Sequence, residues 1–513
     1  MDSILVVASL AFLALALFWI KQLLAAQSSL PLPPGPKGLP VLGNLLDLAS
    51  EEVHVKCRDW SRQLGEDTIS LNILGNTMVV LNSAKAVSDL FDKRGSNYSD
   101  RPDMPMIVDL MGWDWTFALM RYGPRWKEHR RVFHSNFNHS VAEHQEIQLE
   151  ISGELLTLLL RSPEKYAEHM RHYAAHIIMK RVYGHTVIDN NDPYVRLVDE
   201  ASRSTSEAAV PGAFLVDLFP SLKHVPEWMP GAGFKKKARE WRKLSQAMIN
   251  VPYDMVKEKF ENSSAVPCFV STCLEQNAAS AAAGKGEILT EELIKDSAAV
   301  AYAAGADTTV STMTTFILAM TLHPEAQKRA QVELDTVLGD RLPTFADKDA
   351  LPYTIAVMKE VLRWIPVLPL AVPHRTMNSD QYKGFFIPAG ASVLGNTWAI
   401  LHDETVFVEP EKFKPERFID NHLPDPADSG VFGFGRRACA GKSMALDTIW
   451  IAIASILSVY NISKAVDEHG NVITPAVKLK PGTVCHPAPF KCLIEPRSRA
   501  ALALIQHAGL GAK

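Results

Sequence analysis

The sequence has no large excess of charge of either sign, and it has few cysteines. Its 513 residues include 53 Lys and Arg against 57 Asp and Glu, a net charge of −4. This balance gives no overall positive field and argues against nucleic-acid binding. The six cysteines are too few and too scattered for a disulfide scaffold, and no C-x-x-C pair indicates a zinc site. With 47% hydrophobic residues, the chain can bury a large core.

A long apolar run stands near the amino terminus. Ile4 to Ile20 holds 17 uncharged residues, which as a helix would span about 26 Å, enough to cross a hydrocarbon core. A cleaved signal peptide is the alternative, but Asp2 precedes the run and Lys21 is the first basic residue. That charge order favours an uncleaved anchor with the rest of the chain in the cytosol. We therefore expect a membrane anchor over residues 1–26, a proline-rich hinge over 27–40 and one large domain over 41–513.

Beyond the hinge, the spacing of apolar residues predicts a mainly α domain with small β-sheets. Two segments are typical of strands, a hairpin over 68–81 and a strand region over 382–396. The small residues of 278–287 indicate a short linker. Helices are predicted over 84–93, 139–160, 290–322, 324–338, 353–363 and 441–457.

The stretch "FGFGRRACAG", residues 432–441, allows two interpretations. Gly433, Gly435 and Ala438 fit the G-x-G-x-x-A pattern of a dinucleotide-binding turn. Such a turn follows a buried strand and is followed about 20 residues later by an acidic residue that binds ribose. Here "LPDPADSG" precedes the stretch and the first acid after it is Asp447. The dinucleotide interpretation is therefore disfavoured.

The same stretch suits a metal cradle. Its glycines let the backbone approach a planar group, and Arg437 offers a fixed cation. Cys439 stands just before a helix predicted to begin near Gly441, where amide donors and the helix dipole would lower the pKa of the thiol. A buried structural cysteine is the alternative.

Phe432, Gly435, Arg437, Cys439 and Gly441 together follow the spacing F-x-x-G-x-R-x-C-x-G. This spacing resembles the cysteine loop of the cytochrome P-450 family. The resemblance implies the P-450 fold behind an N-terminal transmembrane helix, haem b as cofactor, and the Cys439 thiolate as axial ligand of the haem iron. The other four residues would then contact the cofactor.

Further motifs of the family stand upstream in order. "AGADTT", residues 304–309, places an acid and a hydroxyl side by side in the longest predicted helix. A merely solvated pair is the alternative, although both residue types weaken a helix interior. The resemblance implies that Asp307 and Thr308 supply protons for the cleavage of dioxygen.

Glu360 and Arg363 form an E-x-x-R pair on one helix face, and "PERF" follows with Arg417. The same spacing at Glu128 and Arg131 indicates an ordinary exposed pair. The resemblance makes Glu360, Arg363 and Arg417 a buried triad that supports folding and haem retention.

"WKEHR" places Trp126 and Arg130 four residues apart, a donor pair suited to a carboxylate. The resemblance assigns both to the haem propionates, together with Arg437 and His374. Arg375 is an alternative to His374, and for Trp126 a plain core tryptophan is the alternative.

Intact Asp307 and Thr308 favour monooxygenation over a haem-thiolate isomerase or dehydratase. The resemblance implies electrons from NADPH through a cytochrome P-450 reductase, with cytochrome b5 as a further partner, at the endoplasmic reticulum membrane. Lys127, Arg131, Arg436 and Lys442 would offer the reductase a basic face.

The substrate is expected to be a hydrophobic small molecule. The chain is similar to members from fungal secondary metabolism, which favours a terpenoid over a fatty acid, polyketide or aromatic xenobiotic. Residues 101–120 fall where the family has its variable pocket lid, and their Met and Trp content suits a pliable apolar pocket. Residues 218–243 would dip into an anionic membrane surface or form a solvated helix. Residues placed in the pocket by the resemblance, with core packing as the alternative, are Ala301, Ala304, Val367, Leu368, Leu370 and Cys485.

Overall fold

A computed structural model describes residues 30–49, 52–137, 141–189, 191–210, 212–420, 422–480, 482 and 484–510. The predicted anchor over 1–26 lies outside the described residues, as do the first residues of the hinge. The chain divides into two compact units. The smaller comprises the chain up to Pro102, Leu370–Ile400 and Phe434–Arg436, and the larger comprises Asp103–Pro369, Leu401–Gly433 and the chain from Arg437 onward.

Helices dominate the described residues, as the apolar spacing predicted. In chain order they are α1 (Val53–Leu64), α2 (Ala84–Val87), α3 (Gly95–Tyr98), α4 (Pro124–Phe137), α5 (Val141–Arg161), α6 (Tyr166–Tyr183), α7 (Pro193–Ala208), α8 (Leu215–Leu218), α9 (Gly233–Glu261), α10 (Phe269–Ala282), α11 (Glu291–Leu322), α12 (Pro324–Leu338), α13 (Pro352–Trp364), α14 (Thr397–Leu401), α15 (Lys442–Val459) and α16 (Arg499–Leu510).

The strands are short. They are β1 (Thr68–Ile73), β2 (Asn76–Leu81), β3 (His374–Arg375), β4 (Asp380–Tyr382), β5 (Phe385–Ile387), β6 (Ser392–Gly395), β7 (Tyr460–Lys464), β8 (Leu479–Lys480), β9 (His486–Pro487) and β10 (Cys492–Pro496). In the smaller unit, β1, β2, β6 and β3 form one sheet in that order, and β4 pairs with β5. In the larger unit, β7 pairs with β10 and β8 with β9. The predicted hairpin is β1 and β2, antiparallel from Thr68 opposite Leu81 to Ile73 opposite Asn76.

Helix α11 is the central element of the larger unit. The Thr290 side chain accepts a hydrogen bond from the Leu293 amide and caps its start, and His323 ends it before Pro324. The helix packs against α4, α6, α7, α9, α10, α12, α13 and α15. Because neighbours surround it, α11 is apolar on nearly every face, and the polar residues in its middle stand out.

Helix α15 follows the cysteine loop and forms a second core element. Among the described residues it is the one helix long and apolar enough to cross a membrane, and 61% of it is buried inside the protein. Its apolar character therefore reflects its place in the core.

The predicted linker over 278–287 is partly wrong. Helix α10 continues through its alanines to Ala282, and the chain turns only at Gly284, where φ is +71°. Alanine is the best helix former, so a run of small residues extends a helix that is already packed.

Candidate active site

The loop before α15 presents Cys439. All six cysteines lie in the described residues, and Cys439 alone among them has an exposed side chain. Its backbone N–H donates to the Phe432 carbonyl at 2.6 Å, which closes the loop. Burial nevertheless raises the pKa of the thiol, so the sulfur lies deep among protein atoms. A thiol that is both accessible and deeply surrounded faces an internal cleft.

We expected the helix terminus to lower the pKa of this thiol, and for the polypeptide without a bound metal this expectation is wrong. The Gly441 amide donates to the sulfur, and Arg130 and Lys442 add positive charge. Desolvation outweighs these contributions, and the pKa of Cys439 is raised.

Trp126 and Arg130 lie on α4. The indole is buried and the guanidinium half-buried. Burial lowers the pKa of Arg130, while the nearby Cys439 raises it. Within the described part of the chain, Arg130 has neither an ion pair nor a hydrogen bond to its side chain. A half-buried guanidinium in this state calls for an anionic partner.

Arg437 is held differently. Its guanidinium donates to the Phe117 carbonyl at 3.1 Å and the Met120 carbonyl at 2.7 Å. It also lies over the Trp126 ring, with its central carbon 4.4 Å from the ring centroid. Backbone acceptors thus fix this cation beside the indole of α4.

Two of the predicted cofactor contacts fall in the smaller unit. Gly435 has φ +53°, and a Cβ there would come within 2.2 Å of the Phe91 carbonyl oxygen, so the chain itself requires this glycine. His374 is buried and donates from Nδ1 to the Tyr98 carbonyl at 2.7 Å. Its ring stacks on Phe91 with centroids 4.0 Å apart.

The donor set of the larger unit suits haem. An accessible thiol in a cleft offers an iron ligand, and two guanidiniums with an indole offer donors for carboxylates. The unsatisfied Arg130 is the residue in this set that needs such a group.

The middle of α11 carries the predicted acid and alcohol. Ala304 is exposed and its neighbours Ala303 and Gly305 are half-buried although most of α11 is buried, so this turn also borders a cleft. The Thr308 hydroxyl donates to the Ala304 carbonyl at 2.8 Å. Asp307 points elsewhere, and its Oδ1 lies 3.2 Å from Nε2 of His486. Burial raises the pKa of Asp307, but His486 and Arg171 together lower it by more. The pKa of Asp307 is therefore below its ordinary value.

Glu360, Arg363 and Arg417 meet in one ion-pair cluster. Arg363 donates to the two carboxylate oxygens of Glu360 at 2.7 and 3.0 Å, and Arg417 donates at 3.1 Å. Arg363 also donates to the carbonyls of Leu401 and Pro410. The buried charges are therefore fully paired.

The residues expected to line the pocket are only partly brought together. The Cys485 amide donates to the Val367 carbonyl at 2.9 Å, and Ser311 of α11 donates to the Cys485 carbonyl. Ala301, Val367 and Cys485 are buried, and Leu368 is half-buried. Leu370 belongs to the smaller unit.

The structure buries most of the Met and Trp residues of 101–120. Met106, Met111, Trp113 and Trp115 are at most 5% exposed and belong to the main core cluster. Trp113 and Trp115 stack on each other at 4.9 Å. These side chains pack in the main core, and a pocket-lining role for this segment stays a prediction.

Sequence reasoning missed two polar pairs. His129 of α4 and Asp296 of α11 are 2.9 Å apart and buried, and they join the two helices. His486 meets Asp307 from a distant strand. Neither pair has a sequence signal, because the partners are far apart in the chain.

Comparisons with known proteins give matches over most of the chain. The family model described as Cytochrome P450 matches residues 33–493. A cytochrome P450 monooxygenase of Armillaria gallica is 67% identical over 496 residues, covering 96% of this chain and 97% of that protein. The tryptamine 4-monooxygenase of Psilocybe cyanescens is 37% identical, covering 92% and 94%. A solved zebrafish cytochrome P450 with abiraterone has a TM-score of 0.68 at 25% identity, covering 87% of this chain and 100% of that chain.

The matched region includes the cysteine loop, the acid and alcohol of α11 and the ion-pair cluster at Glu360. The predicted mainly α P-450 fold with small β-sheets is confirmed. The chain belongs to the cytochrome P450 family and is a monooxygenase that uses haem with a cysteine thiolate ligand and electrons from NADPH through a separate reductase.

Proposed function

We propose that this chain is a membrane-bound monooxygenase that places one oxygen atom into a C–H or C=C bond of a hydrophobic small molecule, with terpenoids as the first class to test. The observation that carries the proposal is the accessible Cys439 thiol in a cleft near the unpaired Arg130. Cys439 would be the axial ligand. Trp126, Arg130, Arg437 and His374 would hold the propionates, while Phe432, Gly435 and Gly441 shape the loop.

Bound haem supplies the redox chemistry of dioxygen cleavage. The chain's own acid and alcohol provide the protons. The Thr308 hydroxyl already donates to the Ala304 carbonyl, which leaves its oxygen to accept a further hydrogen bond. Asp307 is the nearby acid, and its lowered pKa keeps it ionised between proton transfers. An isomerase or dehydratase would need no such supply, so this pair favours monooxygenation.

A hydrophobic substrate would suit the apolar residues expected to line the pocket. Val367, Leu368 and Cys485 would offer apolar surface, and the small Ala301 and Ala304 of α11 would leave room for a bulky skeleton. One relative is named as a tryptamine 4-monooxygenase. Aromatic compounds are therefore the second substrate class to test, ahead of fatty acids and polyketides.

Membrane attachment is supported by a second surface besides the amino-terminal apolar run. Trp228 is 80% exposed, and its neighbour Met229 and Phe219, nine residues earlier, are also exposed. Lys235 and Lys236 follow, a composition suited to an anionic bilayer surface such as that of the endoplasmic reticulum.

The reductase would dock on the basic side of α4. Lys127 and Arg131 are exposed there, whereas Lys442 is occupied by an ion pair with Asp428. Cytochrome b5 would compete for the same surface.

The test is turnover under isotopically labelled dioxygen. Membranes that contain the full chain and a P450 reductase receive NADPH and a panel of terpenoid, aromatic, polyketide and fatty-acid skeletons. A product with one labelled oxygen atom supports the proposal and names the substrate class. A rearranged product without label would support the isomerase.

The ligand has its own test. The reduced, CO-bound protein should show the red-shifted Soret band of thiolate haem, and Cys439→Ser should lose it. The matched control is Cys492→Ser, since that cysteine is half-buried and lies on β10. Retention of the band in Cys439→Ser would reject the assignment.

A further inference from the structure

Asp307 has a titratable partner that the proposed function leaves unused. Its Oδ1 lies 3.2 Å from Nε2 of His486, and the two side chains are 27% and 21% exposed. Both groups therefore touch each other and also reach accessible space. Asp307 sits in the middle of α11, and His486 begins strand β9.

The backbone that leads into His486 is fixed by two hydrogen bonds. The preceding residue, Cys485, donates from its amide to the Val367 carbonyl at 2.9 Å. Its own carbonyl accepts a hydrogen bond from Ser311, one turn beyond Asp307 on α11. The Ser311 bond holds the start of β9 against α11, and together the two bonds position the backbone that carries the imidazole.

The other charged groups that act on Asp307 are engaged elsewhere. Arg171 of α6 and Asp199 of α7 both influence Asp307 electrostatically. Arg171, however, donates to Asp199 at 2.8 Å. Among the described residues, the imidazole of His486 is the titratable group in hydrogen-bond contact with the Asp307 side chain.

We propose that His486 is the group through which solvent protons reach Asp307. This inference rests on the proposed proton supply by Asp307 and Thr308. The imidazolium gives its Nε2 proton to Oδ1 of Asp307, so one O–H bond forms as one N–H bond breaks. The neutral imidazole then takes a proton from water, and Asp307 passes its proton toward the cleft beside Thr308. Each monooxygenation consumes two protons with the two electrons from NADPH, so the relay works twice in each turnover.

A histidine suits this role because its charge changes between about pH 5 and 8. A purely structural ion pair would hold β9 on α11 but would not shape the pH profile of turnover. These two roles are therefore separable by experiment.

The experiment uses the full chain with its reductase and two variants. His486→Gln keeps a polar side chain without titration, and His486→Lys keeps the positive charge and the ion pair. For both we expect product formed per NADPH to fall about tenfold with a matching rise in peroxide. We also expect loss of the pH dependence between about pH 5 and 8 and a larger solvent isotope effect.

The matched control is His185→Gln. His185 forms a similar pair with Asp192 at 2.7 Å and is 22% exposed, but it lies outside the proposed site. This control should keep the wild-type product ratio and pH profile.

A readout independent of turnover is the NMR chemical shift of the His486 Nε2 atom, observed with labelled histidine. This shift should change in Asp307→Asn, because the carboxylate 3.2 Å from Nε2 is lost. An unchanged chemical shift would reject the contact.

The outcomes separate the two proposals. The relay alone would be rejected by one pattern of product formed per NADPH. In this pattern both His486 variants keep the wild-type ratio and pH profile, while Thr308→Ala and Asp307→Asn lower the ratio. If Thr308→Ala and Asp307→Asn also keep the wild-type ratio of product to NADPH, the proposed proton supply is rejected, and the relay with it.

Discussion

At the scale of single residues, two guanidiniums beside one indole have different partners. Arg437 is bound by two backbone carbonyls and stacks on Trp126, whereas Arg130 has no hydrogen-bond partner in the described chain. We therefore assign Arg437 to both folding and cofactor binding, and Arg130 to cofactor binding alone. The difference follows from where each lies: Arg437 is in the cysteine loop, and Arg130 projects from α4.

Arg130→Gln should release haem faster, because a propionate loses a charged donor, while the melting temperature of the haem-free protein should not change. Haem transfer to apomyoglobin measures the first quantity, and calorimetry measures the second. Arg437→Gln should change both, since its charged hydrogen bonds contribute about 1.5–3 kcal/mol each. Arg131→Gln, at an exposed position on the same helix, is the control. Equal haem release in Arg130→Gln and Arg131→Gln would contradict the assignment.

At the scale of elements, the E-x-x-R spacing occurs in two different environments. Glu360 and Arg363 of α13 are fully buried, whereas Glu128 and Arg131 of α4 are exposed. Glu360→Gln should therefore lower the free energy of unfolding by about 3–5 kcal/mol, because it leaves buried guanidinium charge unpaired. Glu128→Gln should change it by less than about 1 kcal/mol. Denaturant unfolding of the two variants measures the difference, and equal losses would contradict this account.

The carboxylate of Glu154 connects helices α5 and α6. Glu154 of α5 accepts hydrogen bonds from His172 at 3.1 Å and His176 at 2.9 Å, both on α6. Burial raises the pKa of Glu154, but the two imidazoles lower it more, from its ordinary 4.5 to about 2. A carboxyl with a lowered folded-state pKa contributes stability above its unfolded pKa and loses it as pH falls.

Acid unfolding should show this contribution. Between pH 4.5 and about 2, the wild type should lose stability relative to Glu154→Gln, whose side chain does not titrate. Above pH 5 the wild type should be the more stable protein. Thermal melts across this range measure both, and parallel pH curves for the two proteins would contradict the prediction.

Elements whose signals lie within a few residues of the chain could be predicted from the sequence. Helix α11 is predictable because the Thr290 cap, the apolar spacing and Pro324 all act within a few residues of the chain. The hairpin of β1 and β2 is predictable for the same reason. The burial of the Met and Trp residues of 101–120 in the main core was not predictable, because it depends on distant helices. The pair of Asp307 and His486 was missed because only tertiary packing brings β9 onto α11.

At the scale of the whole molecule, the exposed loop between α8 and α9 bears on how the enzyme meets its membrane and substrate. An indole that is 80% exposed at Trp228 is costly in water and favourable at a lipid headgroup level. If the loop lies in the bilayer surface, brominated lipids should quench the fluorescence of Trp228 in the full-length protein. The quenchable fraction should therefore fall in Trp228→Phe, whereas Trp398→Phe, at a half-buried position, should leave it nearly unchanged. Equal quenching in wild type and Trp228→Phe would place this loop in water, and substrate would then have to reach the cleft from the aqueous phase.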